Sequence, residues 1–423
     1  MRYLLLAALA IAGCSYASPT TTPGGKPNTP AQTTVKIKPG PNVQDELLTA
    51  MIKAKPGTII ELAEGNYEFT GSLSLMASGV TIRGAGMEKT ILSFKKQDQG
   101  KEGIKVENAN DLLIENLTVQ DTKGDAIKVQ NGTNVTFKKV RTTWSEGPKE
   151  TNGGYGLYPV TCTNVLVEEC DAQCASDAGI YVGQSKNVIV RKSTASRNVA
   201  GIEIENCTHA EVTECVATNN SGGILVFDMP NLPAKNGKMV RVFKNITEGN
   251  NHANFAPKGN IVATVPPGTG MMVLAMDQVE LFDNQIKNNQ TSGLCIISFQ
   301  LAAKEITDKE YDPYPEGVYV HDNTFTDNGK NPAGELGLIL GSALGKPLPD
   351  IIYDGNVDPK KMVNGKTPDN LSIKLNNNGK ATFINLHYDG SNLMKFAMSN
   401  PKFEKSTAAY EGKLPSLPPV EMK

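Results

Sequence analysis

Five residues hold one place in a sequence unit that repeats along the chain, and they differ in the chemistry they bring: Lys128, Tyr158, Tyr181, Glu203 and Leu225. The two tyrosines, one unit apart, are spaced to stack beneath a sugar ring or to form an aromatic ladder between neighbouring units. Glu203, with Glu205 and Asp228, offers carboxylates for acid and base work or for Ca2+, with solvated charges on an outer face as the favoured alternative. Asp228 is the best single candidate among them, because it opens an insertion between the apolar Phe227 and Met229-Pro230. His252, one of 4 histidines, lies in the longest insertion and could serve as a general base or metal ligand, although no second His or Cys is near. Trp144 projects from another insertion, as a binding aromatic or as a loop anchor. Lys128 stands three units from Glu203, about 14 Å at the usual strand spacing, too far for direct cooperation.

These positions follow from the repeat. Gly156-Leu157-Tyr158, Gly179-Ile180-Tyr181 and Gly201-Ile202-Glu203 open successive units of 23 and 22 residues. Nine positions after each glycine comes a second apolar pulse: Val165 and Val167, Val188 and Val190, Ala210 and Val212. Alternation of this kind is strand periodicity. A fixed period with short strands in every unit predicts a solenoid, whose coils bury their apolar faces only against one another. The frame extends back to Gly103 and Ala126 and forward to Gly223, Gly270, Gly293 and Gly337. Ahead of it, Asn42 to Lys53 carries Leu47, Leu48, Met51 and Ile52 on one helical face, a cap for the first open strand edge.

The spacing breaks where residues are inserted: after Phe137, over Asp228 to Lys238, over Asn250 to Pro267, and over Phe299 to Pro315. Two insertions precede a first strand and two follow one, so they should wall a trough on the first-strand face. Because side chains alternate along a strand, the trough's floor is the column of five residues named at the outset. Leu225 and the Asp228 loop could also fill it. Asn116, Asn198, Asn219, Asn220, Asn288 and Asn289, near the coil corners, read as turn residues that bond the backbone.

Composition agrees with a narrow Val/Ile/Leu core: of 423 residues only 12 are Phe, 12 Tyr and 1 Trp, against 40 Gly. A net charge of −2 and the lack of a basic stripe argue against nucleic acid. Met1 to Ala12 has a charged start and an apolar run too short to span a bilayer, which reads as an export signal. Its end, Ile11-Ala12-Gly13-Cys14, resembles the bacterial lipobox, and by that resemblance Cys14 becomes a lipid-modified residue after cleavage. Ser15 is the type associated with outer-membrane sorting; an ordinary signal peptide that happens to hold a cysteine is the alternative. The Thr/Pro-rich stretch that follows reads as a tether. Cys162 with Cys207, and Cys170 with Cys215, share unit positions two coils apart, about 9.6 Å, too far for a disulfide. A pairing of Cys174 stays open.

The coil length, the capping helix and Pro56-Gly57-Thr58-Ile59-Ile60 resemble the right-handed parallel β-helix of the pectin-lyase-like superfamily. More narrowly, Tyr155-Gly156-Leu157-Tyr158-Pro159, Ala178-Gly179-Ile180-Tyr181-Val182-Gly183, Gly222 to Pro230, Asn254-Phe255-Ala256-Pro257 and Val265 to Gly270 resemble a family of exported bacterial β-helix repeat proteins without a settled activity. The superfamily resemblance implies cleavage, epimerisation or binding of polysaccharides, often acidic ones, on the first-strand face. Its lyases use a Lys or Arg base, often with Ca2+; its hydrolases' Gly-His-Gly and Arg-x-Lys strings do not occur here. The narrower resemblance implies an exported partner such as a dihaem cytochrome c-like protein.

The expectation is therefore an all-β, right-handed parallel β-helix of three-strand coils with an N-terminal capping helix. Residues 1–13 would be a lipoprotein signal, 14–34 a flexible tether, 35–340 the β-helix, and 341–423 a terminal cap with a loose Pro-rich tail. As a monomer lipid-anchored in a bacterial cell envelope, at the outer membrane, the protein would bind an acidic or neutral polysaccharide and act, if an enzyme, as a lyase or epimerase. The competing expectation is a non-catalytic scaffold for an exported partner.

Overall fold

The computed structural model describes residues 32–302, 306–391, 393–399 and 401–422. The expected leader, Cys14 and most of the tether lie outside them. Among the described residues no helix is long and apolar enough to cross a membrane.

Parallel strands stack coil upon coil. One sheet has eleven strands, running from Gly71–Leu75 to Phe383–Asn385, and a second has twenty, covering the remaining coil faces. The register follows the sequence period: Leu157 pairs with Ile180, Ile180 with Ile202, and Ile202 with Ile224. On the other side of each coil, Val165, Val188, Ala210 and Val240 form the matching inward column. All these side chains are buried, and each contributes on the order of 1.5–3 kcal/mol when it is a Val, Leu or Ile. The cap is helix α1 (Val43–Lys53), which buries Val43, Leu47, Ala50 and Met51. Ile52, expected on that face, is exposed instead.

The periodic glycines are explained by the distance between coils. A Cβ on Gly156 would lie 2.4 Å from the carbonyl oxygen of Gly179, and one on Gly223 would lie 2.3 Å from that of Gly270. Beside this glycine column, the corner asparagines bond the backbone as expected, with Asn198, Asn220 and Asn289 Nδ2 donating to the carbonyls of Ala172, Ala195 and Thr247, and they also bond one another. Asn198, Asn220, Asn250, Asn289 and Asn328 form a buried ladder, each Nδ2 donating to the Oδ1 of the next asparagine or, at the last step, to Asp350. Asn245, Asn284, Asn323 and Asn378 form another. Asn219 and Asn288, one residue earlier, keep the expected turn role with positive φ.

Three boundaries move. Thr33–Ile37 already pairs with Thr58–Leu62, so the coils begin inside the expected tether. Gly337 lies in helix α2 (Gly334–Leu344), not on a first strand. Beyond it the stack continues through Ile351–Tyr353, Lys374–Asn376 and Phe383–Asn385, past the expected boundary at 340. The Pro-rich tail is not loose: Val420 is buried and its amide is bonded to Glu211. The six described cysteines, Cys174 included, are free and buried.

Candidate functional site

The outward column of the eleven-stranded sheet runs in register from Lys105 through Lys128, Tyr158, Tyr181, Glu203, Leu225, Met272 and Cys295 to Ile352. The floor therefore has the expected residues in the expected order, but it is not an open trough. Lys128 and Tyr158 are half-buried, whereas Tyr181, Glu203 and Leu225 are only 4%, 2% and 0% exposed. The insertions fold over the sheet and do not stop at its sides. Val262 and Val265 from one, and Phe299, Leu301 and Tyr311 from another, join Leu225, Phe227, Met272 and Leu274 in a second apolar core outside the coils. Over its C-terminal half a cavity of about 890 Å3 remains, floored by Phe227, Met272, Leu274 and Ile297.

At the polar end, four carboxyls and three tyrosines converge. Asp125 and Asp177 stand just ahead of the strands Ile127–Gln130 and Ala178–Gly183. Tyr155, Tyr158 and Tyr181 pack ring against ring at 4.4–5.0 Å, and the Lys128 ammonium lies 5.0 Å from the Tyr158 ring centre. Tyr181 lies along the sheet because Gly183 leaves room: a methyl group there would meet its hydroxyl at 2.2 Å. That hydroxyl donates to Glu205 Oε1 at 2.6 Å. The Tyr155 hydroxyl donates to Asp177 at 3.4 Å, and Asn260 Nδ2, from the insertion above, donates to the same oxygen at 3.1 Å.

Burial sets the protonation of this cluster. Glu203 is pushed well above the ordinary carboxylate range by desolvation and by Asp177 and Glu205 beside it. Its Oε2 has no partner, and its hydrogen bond with Glu205 raises Glu203 and lowers Glu205, so burial favours the proton on Glu203. Glu205 is raised by burial, against the bonds it accepts from Tyr181 and Glu203. Asp177 is pushed up to about 7 by burial and by Glu205. Asp125 is pushed to about 6 by burial, moderated by Lys128. Tyr158, raised to about 12 by burial and the surrounding carboxylates, keeps its proton.

The other expected site residues are placed elsewhere. Asp228 is fully buried, and its carboxylate accepts the amides of Asn236 (3.1 Å) and Gly237 (2.8 Å), pinning its own insertion. His252 sets Nδ1 on the Ala253 carbonyl at 2.8 Å and its ring edge-on to Phe255. Trp144 is a loop anchor, 5% exposed, with Nε1 donating to the Thr122 carbonyl at 2.8 Å. Among the described residues, the expected Ca2+ carboxylates Glu203, Glu205 and Asp228 are not grouped closely enough to share a cation. A separate acidic group, Asp277, Asp312 and Glu316, has the Lys361 ammonium on its last two members, 2.6 Å from Glu316. Asp125, Tyr155 and Asp177 were missed, although Asp-Ala recurs just before both strands, at Asp125-Ala126 and Asp177-Ala178.

Residues 102–256 match a family described as a right-handed β-helix region. No curated protein matches the sequence. Among solved structures, the A-module of the Azotobacter vinelandii mannuronan C-5 epimerase AlgE4 is 14% identical, covering 79% of this chain and 90% of that one, with a TM-score of 0.46. An alginate lyase from Paenibacillus sp. is 13% identical over 70% of this chain and 97% of its own, with a TM-score of 0.40. Pectate lyase Pel9A is 17% identical over 79% and 74%, with a TM-score of 0.39. By its stacked parallel coils and the matched segment within them, the chain is a right-handed parallel β-helix protein.

Proposed function

We propose that this protein binds a polysaccharide over Lys105, Lys128 and Tyr158 and modifies it by proton transfer at the carboxyl–tyrosine cluster. One observation carries the reading. Asp125 and Tyr158 are both half-buried beside Lys128, with pKa values near 6 and 12, so at neutral pH one accepts a proton while the other donates. Removal of the proton next to a uronate carboxyl by Asp125, with a proton returned to the ring from Tyr158, is epimerisation. If Tyr158 instead protonates a departing glycosidic oxygen, the reaction is elimination. Glu203, Glu205 and Tyr181 form the hydrogen-bonded backing that fixes Tyr158 from below. The same reading takes residues 1–13 as an export signal and Cys14 as a lipid anchor, which puts the activity in a bacterial cell envelope, at the outer membrane.

The scaffold for an exported cytochrome c-like partner is the second reading. It is favoured by Leu338 on α2 and Met398 on helix α3 (Leu393–Met398), which are 60% and 80% exposed.

The two readings separate on variants. Asp125→Asn and Tyr158→Phe are each expected to lower turnover of a polysaccharide by about a hundredfold or more, with an unchanged melting temperature. Full turnover in Asp125→Asn would remove it as the base.

A further inference from the structure

The twenty-stranded sheet carries another constellation, distinct from the carboxyl–tyrosine site. Glu211, Arg241 and Glu280 occupy consecutive register positions on neighbouring coils. Beside them Phe243, Phe282 and His321 form a ring stack with steps of 4.8 and 5.1 Å. The Arg241 guanidinium lies over both phenyl rings and pairs with both glutamates, contacting Glu280 at 3.6 Å. Arg241 thereby holds Glu211 Oε1 and Glu280 Oε2 in place, while Glu280 Oε1 faces His321 Nε2 at 3.2 Å.

The chain's own C-terminal segment lies on this surface. The amide of Leu417 donates to Glu280 Oε2 at 3.0 Å, and the amide of Val420 donates to Glu211 Oε1 at 3.0 Å. His209 Nε2 lies 3.3 and 3.2 Å from the carbonyl oxygens of Pro418 and Pro419. Prolines at 415, 418 and 419 hold themselves and the residues before them extended, which favours a polyproline II helix with three residues per turn. In such a helix the amides of Leu417 and Val420 face the same way, about 9.3 Å apart. Two coils of the solenoid span about 9.6 Å. The glutamates thus form a comb of acceptors whose spacing matches the pitch of a proline-rich helix.

We propose that this face is a recognition groove for proline-rich peptides, and that residues 414–422 are its resident, displaceable occupant. The partner it fits is a protein segment of the form apolar-Pro-Pro-apolar, whose two apolar residues keep their amide hydrogens. Displacement is feasible because few residues anchor the tail: Pro415, Ser416, Pro418 and Pro419 are exposed, and only Val420 is buried. As a tethered ligand the tail competes at an effective concentration in the millimolar range. Free peptide will therefore bind wild type weakly until the tail is weakened.

The test uses the full chain and a labelled peptide with the sequence of residues 412–422. In Leu417→Ser/Val420→Asp protein, where the tail's anchors are lost, the peptide is expected to bind saturably and at least about tenfold more tightly than to wild type. Methylating the peptide nitrogens that correspond to Leu417 and Val420 leaves the protein untouched and should weaken binding about tenfold or more for each. Hydrogen exchange at the tail amides reports release in the double variant. If those amides stay protected, or if the released groove binds neither peptide, or if the two peptides bind equally, the proposal is wrong. Tail exchange into a dimer without peptide binding would overturn it as well.

Discussion

Gly223→Ala is expected to leave little folded protein at ordinary temperatures. The added methyl would sit 2.3 Å from the Gly270 carbonyl oxygen and 2.9 Å from Asn250 Nδ2. Neither neighbour can give way. The Gly270 carbonyl belongs to the next coil's strand, and Asn250 Nδ2 is tied to the Ala217 carbonyl and to Asn289. Displacing Asn250 also strips the acceptor from the amide and side-chain nitrogen of Asn220. Each buried donor left without a partner costs about 1–3 kcal/mol, on top of overpacking of a similar size. The sum, on the order of 5 kcal/mol, approaches the whole stability of many domains. Urea unfolding measures it; a midpoint within the error of wild type would mean that the coils are not held at this spacing.

The second large effect is a loss of stability as pH rises. Glu203, Asp177 and Asp228 all have pKa values raised by burial, the latter two to about 7. In the unfolded chain these carboxyls titrate near 4. Between about pH 4 and 7 the folded state therefore binds more protons than the unfolded state. Stability is greatest below the unfolded pKa and declines as pH climbs through the folded values. The carboxylates with lowered pKa values, such as Glu168 and Asp322, act in the opposite sense but only below about pH 4. Each proton contributes up to about 1.4 kcal/mol per pH unit, so Asp177 and Asp228 alone set an upper bound of about 5 kcal/mol between pH 5 and pH 7, and a fall of several kcal/mol by pH 8 is expected. Glu203→Gln should flatten the slope. Urea midpoints that are constant or rising over that range would mean the cluster is ionised in the folded protein.

Much of this architecture was legible because a solenoid writes one structural rule many times. The glycine period identified the first-strand sheet, and strand alternation placed Lys128, Tyr158, Tyr181, Glu203 and Leu225 in one column. The same logic failed where a residue's role depends on contacts across the repeat. Gly337 fits the period but belongs to a helix, and the last coils, at Ile351 and Phe383, carry no glycine to mark them. Asn198 and Asn220 look like turn residues until their neighbours two or three strands away turn them into a ladder. Val262, Phe299 and Tyr311 sit in irregular insertions, where nothing in the local sequence says that they will fold back onto the floor. That roof is what turns the first-strand trough, whose openness the sequence leaves undecided, into a small polar site at one end and a covered cavity at the other. It also explains why Asp228 is a loop clasp, and why the proposed proton transfer rests on Asp125 and Tyr158 instead.

The most direct test of the polysaccharide reading is to incubate the wild-type protein in D2O with neutral, uronate and amino-sugar polysaccharides, following both binding and chemistry. Deuterium entering the sugar ring at the carbon next to the carboxyl, or new ultraviolet absorbance from an unsaturated uronate, is the expected result for at least one polymer. A panel in which nothing binds and no hydrogen is exchanged would contradict the assignment of the carboxyl–tyrosine cluster as a polysaccharide-modifying site.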